Sequence, residues 1–67
     1  MADFSKGDKV SWSSHGTKTT GTVKRKITDD TTAGGRKVRA SEDEPQYLVE
    51  SDNGNEAVHK PDALTKD

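Results

Sequence analysis

Apolar and polar residues alternate in short bursts along this chain, and each burst is bounded by glycine, proline, asparagine or aspartate. In Lys9-Val10-Ser11-Trp12-Ser13 the two-residue period places Val10 and Trp12 on one face of a strand. Lys6-Gly7-Asp8 is turn chemistry leading into it, and Ser14-His15-Gly16 breaks the run. Thr17 to Ile27 is rich in β-branched side chains, which suit a pleated surface better than a helix. Under the same period Gly21, Val23, Arg25 and Ile27 share a face, with Lys24 and Lys26 in solvent. Arg25 on an inner face requires either the exposed end of a strand or a bulge, and Gly21 in mid-strand predicts a bend or bulge that curls the sheet.

The eighteen residues between Ile27 and Gln46 carry few apolar side chains. Asp29-Asp30 and Gly34-Gly35 mark turns, so Thr28 to Gly35 reads as a hairpin loop. Arg36 to Ala40 then reads as a short strand with Val38 and Ala40 inward, and Ser41 to Pro45 as a solvated acidic turn. Gln46 to Ser51 is the clearest strand, followed by the hairpin signal Asp52-Asn53-Gly54 and a returning strand from Asn55 to His59. Pro61 ends that strand because it has no N–H for the ladder, and Pro61 to Leu64 reads as one helical turn with Leu64 plugging the core. No segment repeats apolar residues at helical spacing. The expectation is all-β: a small curled sheet of four to five antiparallel strands with a short C-terminal helical turn.

Length and composition sharpen that picture. Sixty-seven residues make a single domain, 1–67, and such a chain buries only about 60% of its unfolded surface. Leu, Ile, Val and Phe number nine, about 13%, which is below the ~20% level associated with disorder. A net charge of −1 supplies no self-repulsion to keep the chain open, and the apolar residues are patterned, so a folded domain is expected. With no cysteine, disulfides, thiolate metal sites and thiol nucleophiles are excluded. No apolar run approaches the ~20 residues that span a bilayer, and the first residues lack the regions of a secretion signal, so no membrane partner and a cytoplasmic location are expected.

The charge is segregated. Gly16 to Arg39 holds seven basic and two acidic residues, whereas Ala40 to Val58 holds six acids and no base. One reading sets a basic strand beside an acidic one, where opposite charges favour the pairing by a few tenths of a kcal/mol. The other leaves two exposed patches of opposite sign. The basic residues Lys24, Arg25, Lys26, Arg36, Lys37 and Arg39 then form a candidate phosphate-binding stripe. A pI near 6.1 and few interleaved aromatics favour a solvated face over a dedicated nucleic-acid surface.

Lys6-Gly7-Asp8-Lys9-Val10-Ser11-Trp12, Gly21-Thr22-Val23, Ala40-Ser41, Pro45 to Ser51 and Ala57-Val58-His59-Lys60-Pro61-Asp62-Ala63-Leu64 together resemble the hypervirulence-associated Tudor domain family. Gly-Asp-x-Val occurs in many small barrels, but its combination with Ala-Val-His-Lys-Pro-x-x-Leu is far more specific. The resemblance implies an SH3-like (Tudor-like) barrel. Familiar Tudor domains hold methylated lysine or arginine in a cage of aromatic rings. This chain has three such rings in all, Phe4, Trp12 and Tyr47, fewer than a cage and a core both need.

Trp12 and Tyr47 either pack together as the bulk of a thin core or present their edges beside Glu50 or Asp52 as a ligand-binding surface. His15 and His59 have no metal-ligand spacing, and His59 is expected at a strand end, hydrogen-bonded to the Pro61 turn. No Ser–His or paired-carboxylate arrangement stands out, so no catalytic residue, metal or cofactor is expected. The sequence points to a monomeric binding module for a protein or peptide partner, through the Trp12/Tyr47 face or by strand addition at an open sheet edge. A weak nucleic-acid module and an accessory, stress-related protein are the alternatives.

Overall fold

A computed structural model describes residues 4–14 and 16–67. The strands are β1 (Lys9–Ser14), β2 (Thr17–Ile27), β3 (Thr31–Ala33), β4 (Arg36–Val38), β5 (Gln46–Ser51) and β6 (Glu56–His59). A 3-10 turn, Pro61–Ala63, leads into a last strand, β7 (Thr65–Lys66). Five of the strands form one antiparallel sheet in the order β6-β5-β2-β1-β7, and β3 and β4 form a separate hairpin. The terminal strand crosses the 3-10 turn and returns beside the first, giving the fold of a small SH3-like, Tudor-like barrel. His15 and the first three residues lie outside the described part.

The period-2 reading places most of these elements. β2 and β5 run over the expected residues, and Val10, Trp12, Val23, Tyr47 and Val49 are buried together with Phe4 and Leu64. Leu64 is the expected plug, held after the turn by its N–H donating to the Pro61 carbonyl at 3.1 Å. β6 starts at Glu56 rather than Asn55, because residues 52–55 form a four-residue loop. Gly54 takes φ 91° there, and its N–H donates to the Ser51 carbonyl at 2.8 Å. The Ser51 hydroxyl, buried at this corner, donates to Asn53 Oδ1 and receives the Asn55 N–H at 3.2 Å.

Three expectations are corrected. Gly21, Val23, Arg25 and Ile27 do not share a face. The register runs Val23↔Val49 and then Arg25↔Leu48, so Lys24 is an extra residue in a β-bulge. Directly paired residues share a face, so beyond the bulge Arg25 and Ile27 fall on the opposite side, with Leu48. Arg25 is thereby exposed while Ile27 is buried. The bulge is at Lys24, not at Gly21. Gly21 is needed for another reason: a Cβ there would overlap the Glu50 carbonyl oxygen and lie 2.8 Å from Trp12 Cη2.

The second correction concerns the polar middle of the chain. Thr28 to Gly35 is not a loop, because Thr31–Ala33 is a strand paired with Arg36–Val38, and the second strand stops at Val38 instead of reaching Ala40. Gly34 and Gly35 take φ 59° and 79°, the positive values that a two-residue hairpin turn demands at both positions. Short strands survive here because Ala33 and Val38 are buried against Ile27, Leu48 and Val58, with Ala40 packed at the margin.

Third, the domain has two small cores rather than one. β5 is the wall between them, with Tyr47 and Val49 facing one and Leu48 the other. That places three consecutive apolar residues in a strand that ordinary one-sided alternation would leave half polar.

Candidate functional site

The rings singled out from the sequence are inside the protein. Trp12 is 7% exposed and Tyr47 1%. Both belong to one core: Tyr47 meets Phe4 edge-on at 5.4 Å, and Trp12 lies against the His59 ring at 5.3 Å. The Tyr47 hydroxyl accepts the Phe4 N–H at 3.3 Å, tying the start of the chain to β5.

Glu50 and Asp52 lie on the opposite side of β5's end from those rings. Lys24 Nζ reaches Glu50 Oε1 at 3.6 Å with both side chains roughly half exposed, a pair that contributes about 0–1 kcal/mol. The basic β2 thus lies beside the acidic end of β5, as the charge segregation suggested. Thr20 Oγ1 donates to Asp52 Oδ2 at 2.6 Å.

His59 departs from its expected role. Its ring makes no hydrogen bond to the Pro61 turn, and its Nε2 is buried without a partner among the described residues. Burial lowers its pKa below the ordinary value, and the nearby Arg36 guanidinium lowers it further. A neutral imidazole packed on Trp12 is the consequence.

The six basic residues do not form a single stripe. Lys24 is engaged by Glu50, Arg25 projects from the Leu48 side of β2, and Arg36 and Lys37 sit on the hairpin. Lys26 and Arg39 line a groove instead. That groove, of about 830 Å³, runs between the acidic turn before β5 and the 3-10 turn. Pro45, Tyr47 and Pro61 give it a mostly apolar lining, and Glu42, Asp43, Glu44, Lys60 and Asp62 stand around it. The Gln46 amide, donating to the Arg39 carbonyl at 2.6 Å, pins the turn against the start of β5.

The family model for the TUDOR domain of hypervirulence-associated proteins matches residues 7–64. The chain belongs to this family. No curated protein and no solved structure matches it. The matched span of this Tudor domain contains the second core, all of the first except Phe4, and the whole groove, and Tudor domains as a class are small binding modules. Among the described residues no three His, Asp or Glu side chains converge as metal ligands, and no helix is long and apolar enough to cross a membrane.

Of the residues singled out in the sequence, the fold brings Tyr47, Lys26 and Arg39 to one place, and Trp12, Glu50 and Asp52 to others. Sequence reasoning did not find the groove. Pro45 and Pro61 signalled it, since each stands where a strand begins or ends and leaves a rigid apolar ring at the surface. They read as strand punctuation because nothing in the one-dimensional pattern brings positions 45 and 61 together.

Proposed function

We propose that this Tudor domain is a non-catalytic cytoplasmic module, acting as a monomer, that recognises a protein segment laid in the groove between Glu42–Tyr47 and Lys60–Asp62. The observation that carries this reading is the groove itself, an apolar-lined depression of about 830 Å³ with a polar rim on a domain of 67 residues. Its walls are a proline-ended turn on each side, fixed by the Gln46–Arg39 hydrogen bond and by the Ala63 N–H donating to the Lys60 carbonyl at 3.0 Å. Walls that are already in place lower the ordering cost of binding.

Within this reading Tyr47 underlies the groove as a buried part of its floor, and Pro45, Gln46, Lys60 and Pro61 meet the segment. We assign Trp12, Glu50 and Asp52 to holding the barrel: Trp12 by filling the core, Glu50 by its ion pair and Asp52 by the Thr20 bond. A methyl-lysine cage gains no support from rings that are at most 7% exposed.

The test is a two-dimensional amide spectrum of the labelled domain titrated with a peptide library, and separately with a mixed-sequence oligonucleotide at low salt. The reading expects peptide-induced shifts at Gln46, Tyr47, Lys60 and Asp62. Shifts confined to Arg25, Arg36 and Lys37, produced by the oligonucleotide and reversed by salt, would replace it with the nucleic-acid alternative.

A further inference from the structure

The groove adjoins a second depression of about 550 Å³, lined by Thr28, Asp29, Asp30, Ala40, Ser41, Glu42 and Asp43. Glu42 and Asp43 line both, so the acidic turn is a ridge with a depression on either side. The charge along this continuous surface is lopsided. The apolar-lined groove brings four acids and three bases, and its neighbour adds Asp29 and Asp30 with no base. The six acids are half of all those in the chain, gathered on one side of a protein whose net charge is only −1.

The turn is held in shape from within. Asp30 Oδ1 accepts the Ala40 N–H at 3.1 Å, and Ser41 Oγ accepts the Glu44 N–H at 3.1 Å. Glu42, Asp43 and Glu44 are all exposed, so their charge faces solvent.

From this arrangement we infer the chemistry of the partner: an extended, Lys/Arg-rich protein segment. One apolar residue would sit between Pro45 and Pro61, and the cationic residues would cross the Glu42–Asp43 ridge toward Asp29 and Asp30. The inference rests on the groove reading above and adds the sign of the ligand. Opposed charges steer encounter and set specificity more than they set affinity, so discrimination between cationic and anionic segments is the property to measure. An anionic ligand, nucleic acid included, would meet repulsion along the whole ridge.

The experiment uses the full chain and two fluorescent ten-residue peptides sharing one Leu and one Pro, with Lys/Arg elsewhere in one and Asp/Glu in the other. The cationic peptide should bind at least about ten-fold more tightly, shifting the amides of Glu42, Asp43, Gln46 and Lys60. Raising salt from about 50 to 300 mM should weaken it several-fold, because the distance over which exposed charges act shortens from about 14 to about 6 Å. The double substitution Glu42→Lys/Asp43→Lys should lower its affinity about ten-fold with an unchanged unfolding midpoint. Arg39→Glu, which replaces a base lining the groove by an acid, should raise it. Equal or tighter binding of the anionic peptide at the groove amides would overturn the charge inference and leave the groove reading standing. Failure of both peptides and of the library to shift those amides would remove both.

Discussion

Replacing Gly21 by alanine tests whether the close approach of β1, β2 and β5 is as tight as the structure makes it. The added methyl would overlap the Glu50 carbonyl oxygen and stand 2.8 Å from Trp12 Cη2. Overpacking a fitted interior costs about 1–3 kcal/mol. One of these neighbours is backbone in a paired strand and the other a ring wedged against His59, so neither yields easily and the upper end applies. Restricting the unfolded chain returns about 0.4–1 kcal/mol, which leaves a net loss of about 2–3 kcal/mol. A domain of this size holds about 3–10 kcal/mol in total. At about 4–8 °C per kcal/mol the midpoint should fall by about 8–24 °C. Trp12 is the only tryptophan, so its fluorescence during thermal and urea unfolding reports on the site directly. Gly54→Ala is the comparison: its φ of 91° is unfavourable for alanine but no atom lies within 4 Å, so only about 1 kcal/mol of backbone strain is expected. If Gly21→Ala loses no more than Gly54→Ala, the steric account of this contact is wrong.

Other consequences are as open to measurement. The lowered pKa of His59 means that the unfolded chain binds more protons than the folded one near and below pH 6.5. The associated stability is complete above 6.5 and drains away as pH falls toward the folded value. The urea midpoint should therefore drop from pH 7.5 to 5.5 in the parent and drop less in His59→Gln; parallel profiles would refute it. Leu48→Ala, at the wall between the cores, should cost about 2–4 kcal/mol in urea unfolding. Val38→Ala should instead speed amide exchange within Thr31–Val38 while leaving Val10 and Val23 protected, since β3 and β4 pack only on the second core. Uniform acceleration throughout the domain would show that the two cores do not open separately.

Much of this architecture could be read from the chain because β5 and the first half of β2 obey simple rules. Alternation put Val10, Trp12 and Val23 inward, and Pro61 and Leu64 marked the final turn. The errors share a cause, which is that local pattern does not report three-dimensional phase. Lys24 sits in the bulge and drops out of the two-residue count, so every residue after it in β2 falls on the face opposite to the one that counting assigns, and the only trace in the sequence was the improbable inward Arg25. Half of the β3–β4 hairpin was legible, as the strand that begins at Arg36 with Val38 inward; β3 was missed because Thr31 and Thr32 look like loop residues until Leu48 and Val58 give Ala33 something to cover. The candidate site was less legible still. Tyr47 was noticed as an aromatic ring, but the groove beside it depends on two prolines sixteen positions apart and on an acidic turn that resembled solvated filler.

The bulge at Lys24 makes β2 behave like a text with a shifted reading frame. Before it, odd-numbered residues supply one core; after it, odd-numbered residues supply the other. Lys24 is exposed, so the identity of the residue at this point is free to change. Deleting it would restore regular pairing, with Arg25 still opposite Leu48 and Ile27 still opposite Gln46, so both cores would keep their residues. What would be lost is the local bend and added twist of β2, so the extra residue acts on the curvature of the sheet and not on which core each side chain enters.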